Sequence, residues 1–353
     1  MTLSGRRGNL ALLAGALLLA ILLIEGGLRA FGLSQPVLYR LDPVVGYEPL
    51  PRQASSRLGV TVHINDIGLR DDESLATLMR SRERILVVGN SVTYGSSLVS
   101  QDELFTEVAE RELRPARPGL KVLNGGVAGY SVSQIARRAP RLIEQTRPDY
   151  LILYFIRQDF TRPPVRYPDA DSQQEPQRRP RLALVPFVRL SLGFVAGRYR
   201  LLERWPALAA VWPSSPPSRV PPYDRSRVMD LHFDAVEELL RGWIAGGHGR
   251  ANILAFVSPT LADVAENRPA PNADLVERLR SLGVEAHDLQ PDFRAAMTRG
   301  EHEPAEYYHD DIHYQPAGNA VAGLVLAAHL RRRLATAGGA AGARAADFIV
   351  ASP

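Results

Sequence analysis

From residue 84 onward the chain repeats one order: a short apolar run, a turn rich in glycine or asparagine, then a stretch with helical spacing. Ile85-Leu86-Val87-Val88 is the first run, Val122-Leu123 the second, and residues 150–155 and 253–257 supply two more; 284–289 reads as a fifth strand after a helix. Apolar residues on consecutive positions suit strands that are covered on both faces. Between the runs, Leu104, Phe105, Val108, Ala109 and Leu113 recur at helical spacing, as do Ile135, Leu142 and Ile143 around a Pro140 expected to kink its helix. A further helix is expected over 273–282. A last one should begin near Pro316, where the missing N–H costs nothing, and end near Leu334. Strands alternating with helices imply an α/β fold: a mostly parallel, five-stranded sheet between two helical layers. Sites in such sheets form at the carboxyl ends of the strands.

Other segments lie outside this repeat. Arg6 and Arg7 precede an uninterrupted apolar run from Leu10 to Ile24, which stops at Glu25. The run is apolar on every face, which does not suit a half-buried soluble helix. With its glycine-containing flanks it approaches the roughly 20 residues of a membrane span. A cleaved signal peptide and an uncleaved signal anchor both fit such a run; no clear small-x-small cleavage site follows it, so 1–34 is read as an anchor with its arginines on the cytoplasmic side. The remainder is then expected outside the cytoplasm, on the periplasmic side of the inner membrane in a Gram-negative cell. Residues 35–60 carry scattered prolines and read as a linker, with a short alternating strand beginning at Val60. Residues 61–334 form the main domain. It is interrupted at 161–222 by a Pro- and Arg-rich insertion with apolar patches at 182–196 and 205–212. That insertion is expected to be either a partly helical cap, on the domain or on the membrane, or a mobile surface segment. The Ala/Gly-rich residues 335–353 read as a flexible tail.

Composition removes several classes of function. A net charge of +4 over 353 residues is too small for a nucleic-acid-binding surface. Lys121 is the only lysine, which argues against Schiff-base chemistry or a lysine-dependent phosphate loop. Cysteine is absent, so thiol catalysis and thiolate metal clusters are excluded. Nothing calls for a cofactor.

Two stretches carry residues suited to chemistry. Gly89-Asn90-Ser91 follows the first strand; taken alone it is an ordinary turn. Near the other end stands His309-Asp310-Asp311-Ile312-His313-Tyr314-Gln315-Pro316. Asp310 and His313 are three apart, which in a helical turn puts both on one face. An aspartate there can hold an imidazole in one tautomer while the ring moves a serine's proton. His309 and His313, four apart, would also suit a metal pair, but no glutamate lies between them and only nearby aspartates could add a third ligand. No metal is assigned.

Together, Gly89-Asn90-Ser91, Gly125-Gly126-Val127-Ala128-Gly129 and Asp310-x-x-His313 resemble the SGNH/GDSL hydrolases. The Asn65-Asp66-Ile67-Gly68-Leu69-Arg70 approach segment and the His-x-x-Pro-x-Gly-Asn pattern from His313 to Asn319 extend the resemblance. It implies a flavodoxin-like three-layer fold and ester or acyl chemistry. Ser91 would be the nucleophile and one oxyanion donor. Gly129 would supply a second donor, with Gly126 as the near alternative. His313 would be the base and Asp310 its orienting partner, with Asp311 ranked lower. Two positions depart from the pattern. Asn90 replaces the usual aspartate, and Gln158 stands where the oxyanion asparagine belongs. Arg157 beside it could meet a negative substrate group or be salt-bridged in its loop. The expectation is a membrane-anchored extracytoplasmic serine esterase or O-acyltransferase acting on acylated glycans or other esters. The alternative is a catalytically weakened protein of this fold that binds glycan or assists envelope assembly.

Overall fold

The computed structural model describes residues 3–33, 35–97, 99–163, 224–300 and 302–349, with 179, 181–185, 187 and 188. Helix α1 (Leu3–Ala30) contains a 20-residue window, Ala11–Ala30, with mean hydropathy 2.3, long and apolar enough to cross a membrane. Its leucines and isoleucines from Leu12 to Ile24 are exposed along the helix, as expected of a surface that meets lipid rather than protein.

Residues 35–60 are not a linker. They hold β1 (Tyr39–Asp42) and β2 (Gly46–Pro49), an antiparallel hairpin, then β3 (Gln53–Arg57), which pairs antiparallel with β4 (Val60–Ile64). Tyr39, Tyr47, Val62 and Ile64 are buried in the main core. Arg141 from a later helix pairs with Asp42 at 2.9 Å and also with Glu48, fixing the first hairpin to the domain. These partners lie about a hundred residues away, so no local periodicity announces them.

After the short helix α2 (Leu75–Leu78), strands β5 (Glu83–Gly89), β6 (Leu120–Asn124), β7 (Tyr150–Ile156), β8 (Ile253–Ser258) and β9 (Glu285–Asp288) form one sheet. Its order is β6-β5-β7-β8-β9 and every pairing is parallel. Numbered within the sheet this is 2-1-3-4-5, the flavodoxin-like order. Alternate strand residues feed two cores. Leu86, Val88, Leu123, Leu151, Leu153 and Val257 face one side, with α5 (Val132–Thr146), α7 (Arg225–Ala245) and α9 (Ala273–Ser281). Ile85, Val87, Val122, Ile152 and Phe256 face the other, with α4 (Phe105–Leu113), α10 (Gln290–Arg299) and α12 (Pro316–Ile349). Short helices α3 (Ser91–Tyr94), α6 (Arg157–Thr161), α8 (Leu261–Ala265) and α11 (Pro304–Tyr307) lie in the loops.

Pro140 lies inside α5, as the helical reading of that stretch expected. One sequence expectation needs adjusting. The last helix runs to Ile349 rather than Leu334, so the stretch read as a flexible tail is largely helical backbone. Most of the 161–222 insertion, including the patch at 205–212, lies outside the described residues.

Candidate active site

The sheet order reverses between β5 and β7, and the loops leaving those strands carry Ser91 and Asp159. The chain must bend sharply after β5, and Gly89 permits it. A Cβ at Gly89 would lie 2.0 Å from Thr93 Oγ1 and 2.6 Å from the Tyr154 carbonyl oxygen. Asn90 then caps α3, its Oδ1 accepting the Val92 amide at 2.8 Å. Ser91 thus occupies the first position of a short helix at the carboxyl edge of the sheet.

Asn90 has a second task. Its Nδ2 donates to both oxygens of Asp159, at 2.8 and 2.7 Å, and Asp159 also accepts the Ile156 amide at 2.9 Å. Asp159 is fully buried. Burial pushes its carboxyl up to about 7, although the Ile156 amide and Asn90 act in the opposite direction. Asparagine, the departure from the usual aspartate, is the residue that can donate to this carboxylate.

The far end of the chain arrives at the same place. His313 Nε2 lies 2.8 Å from Ser91 Oγ, and His313 Nδ1 lies 2.7 Å from Asp310 Oδ2. Residues 309–315 are not helical. They form a turn closed by the bridge between Tyr308 and Tyr314 and by the His309 amide donating to the His313 carbonyl at 2.9 Å. Asp310 organises that turn: its Oδ1 accepts the amides of Ile312 and His313 at 2.9 and 2.8 Å. Partial burial opposes its ionisation, but the His313 amide and ring and the Ile312 amide outweigh that and hold the carboxyl down at about 2. A carboxylate in this state fixes Nδ1 as the protonated nitrogen and leaves Nε2 free to take a proton from the serine.

The other candidates separate cleanly. No described group accepts a hydrogen bond from the Ser91 or Gly129 amide, and Gly129 adopts φ 79°. The Gly126 amide is spent on Asn124 Oδ1 at 3.0 Å, which removes it as a donor. Gln158 is exposed, and its side-chain amide donates to no described protein group. Arg157 is paired with Asp274 and with the Pro271 carbonyl, so it is a salt-bridged loop residue. Asp311 caps α8 through Ala262, at 3.1 Å, and does not approach His313. Donor atoms of His309, Asp310 and His313 do cluster within 4.8 Å. Both nitrogens of His313 are nevertheless engaged by Asp310 and Ser91, leaving none for a cation. A second serine–histidine contact, Ser133 Oγ to His232 Nδ1 at 2.6 Å, is buried, and its Nε2 meets the Arg162 carbonyl rather than an acid.

Ser91, Asp310 and His313 open on a cleft of about 370 Å³. Its far wall is the N-terminal segment: Gln35, Pro36, Val37, Tyr39, Ser55 and Arg57. Sequence reasoning missed this wall, and it missed Arg70. The Arg70 guanidinium is buried and donates to the carbonyls of Tyr94 and Ser96 at 2.5 Å and of Val99 at 2.6 Å, bracing the loop that follows Ser91. The signal for Arg70 was its place in the approach segment; the wall had none.

No family model matches the chain, and no curated protein matches it. Solved structures similar to it in outline include a two-domain esterase active on acetylated mannans. That likeness has 15% identity and a TM-score of 0.42, and covers 71% of this chain and 49% of the other. The chain therefore spans about half the length of that protein. A lipase/acylhydrolase from Enterococcus faecalis matches at 11% identity and TM-score 0.41, over 71% of this chain and 96% of the other. An acetylxylan esterase from Geobacillus stearothermophilus matches at 13% and 0.39, over 72% and 94%.

Proposed function

We propose that the protein is a membrane-anchored, extracytoplasmic serine esterase or O-acyltransferase. The observation that carries the reading is the continuous chain from Asp310 through His313 to Ser91, with contacts of 2.7 and 2.8 Å, open to a cleft. Ser91 Oγ attacks the acyl carbonyl while its proton passes to His313 Nε2. Asp310 stabilises the imidazolium so formed. The Ser91 and Gly129 amides and the Gln158 side-chain amide donate to the oxyanion. As the tetrahedral intermediate collapses, the ester C–O bond breaks and the departing alcohol takes the proton from His313. Water or a sugar hydroxyl then attacks the acyl-serine with His313 again as base, which releases an acid or a new ester. The polar lining, Gln35, Ser55, Ser96 and Ser97 among it, supports an O-acylated glycan as substrate. Helix α1 supplies the anchor.

The test is labelling with a fluorophosphonate probe, together with turnover of acetyl esters by wild type and Ser91→Ala. Labelling and turnover that vanish in the variant support the mechanism. A folded wild type that neither labels nor turns over ester refutes it and favours a glycan-binding role.

A further inference from the structure

The wall of the cleft and the end of the apolar helix are one piece of structure. Helix α1 ends at Ala30, and Gln35, five residues later, already lines the cleft that holds Ser91. Five residues reach at most about 17 Å fully extended. Here the path is shorter still, because the Gln35 amide turns back to the Gly32 carbonyl at 3.0 Å.

The junction is docked. Phe31 O accepts the Leu58 amide at 2.9 Å, which ties the helix end to the hairpin of β3 and β4. Gly32 lies so close to that hairpin that a Cβ would sit 2.0 Å from the Ser56 carbonyl oxygen. The Ser55 hydroxyl, on the same strand, donates to the Gln35 carbonyl. Ser55 and Arg57 of that hairpin also line the cleft. Earlier in the helix, Glu25 accepts the amides of Ala183 and Leu184, each at 2.9 Å. Around this junction the apolar side chains point outward: Phe31, Leu58, Leu182 and Val185 are all more than half exposed. Such a group at the end of an apolar helix continues the lipid-facing surface onto the folded domain.

Resting on the esterase reading above, we infer that the cleft works at the bilayer surface and that its substrate is an acyl ester on a polar group borne by a membrane lipid. The occupant of the apolar rim is the bilayer, because the rim is continuous with α1. A headgroup layer of several ångströms lies outside the hydrocarbon. A cleft whose wall begins within five residues of the helix end opens onto that layer. The acyl group comes to Ser91 from the membrane side, past Gln35 and Arg57, while the lipid stays in its leaflet.

The chain has no cysteine, so single reporters can be placed cleanly. Full-length protein is reconstituted in phosphatidylcholine vesicles with a fluorophore on Ser97→Cys, at the cleft, or on Ser281→Cys, at the opposite edge of the sheet. Lipids bearing a nitroxide on the headgroup should quench the first label strongly and leave the second near its unquenched level. An unquenched Ser97 label, or equal quenching at both sites, overturns the location. In phosphatidylcholine vesicles holding unlabelled wild-type protein, an acetylated sugar tethered to lipid should be turned over roughly tenfold or more faster than the free sugar at equal total concentration. Equal rates overturn the lipid-borne substrate. Fluorophosphonate labelling of the unlabelled wild type in these vesicles separates the two readings. Absent labelling with the expected quenching refutes the esterase, and with it the ester, but leaves the placement of the cleft standing.

Discussion

Replacing Asn90 by aspartate puts a second carboxylate into a sealed place. In the wild type the Asn90 amide spans both oxygens of Asp159 at 2.8 and 2.7 Å, and both side chains are buried. Burial already pushes the Asp159 carboxyl up to about 7. Two charges about 4 Å apart, at an effective dielectric near 20, repel by about 4 kcal/mol. That energy equals about three pKa units. The variant pair therefore retains one proton to roughly pH 10. Between about pH 4 and pH 7 the folded wild type holds one proton more than the unfolded chain, so its stability falls as pH rises; above that window this contribution is level. The variant keeps falling above pH 7, at about 1.4 kcal/mol per pH unit. The gap between the two proteins should thus be about 3 kcal/mol wider at pH 9 than at pH 7. Urea unfolding of the full chain in detergent micelles, followed by tryptophan fluorescence across this range, measures it. A gap that does not change with pH would refute the charge argument and leave only lost hydrogen bonding.

Other predictions follow from the same geometry. Asp310→Asn should lower kcat on an acetyl ester by roughly 10²–10⁴-fold, with the serine still in place. Because the Asp310 carboxyl is held at about 2, its contribution to stability is present above about pH 4 and lost as pH falls toward 2. Acid titration should therefore cost the wild type more than this variant, by an amount kept small because Asp310 is 45% exposed. Gly89→Ala places a methyl 2.0 Å from Thr93 Oγ1 and 2.6 Å from the Tyr154 carbonyl. It should cost about 1–3 kcal/mol, read as a lower Tm. Gln158→Ala should reduce kcat by roughly 10–10³-fold with little change in KM, and Gln158→Asn should keep or raise activity. A severe loss in folded Gln158→Asn would mean that the pocket is built around glutamine.

Four of the five strands were legible because they are largely buried on both faces and read as apolar runs; β9, at the sheet edge with only Ala286 buried, was placed by the alternation of strand and helix. Their parallel pairing follows from the helices between them. The first hairpin was not legible, because what stabilises it is distant: Tyr47 donates to the Ala128 carbonyl at 2.7 Å, and Arg141 reaches Asp42 and Glu48. The juxtaposition of Asp310 and His313 could be read from their spacing, but the helical turn assumed for it could not. The aspartate's own hydrogen bonds to the amides of Ile312 and His313 compete with helix and win. Arg70 showed as a basic residue in a recognisable segment. Its burial against three carbonyls depends on a loop some 24–29 residues further on.

The contact between His313 and Ser91 spans 222 positions of the chain. During synthesis from the amino terminus, the helix and the serine emerge first, and the cleft's wall is complete long before its base exists. At the usual pace of roughly 5–20 residues per second, that interval lasts on the order of ten seconds or more. On the esterase reading the nascent protein is inert throughout that interval. A chain that stops short of His313 then carries the serine without its base, so chain order itself keeps unfinished copies silent.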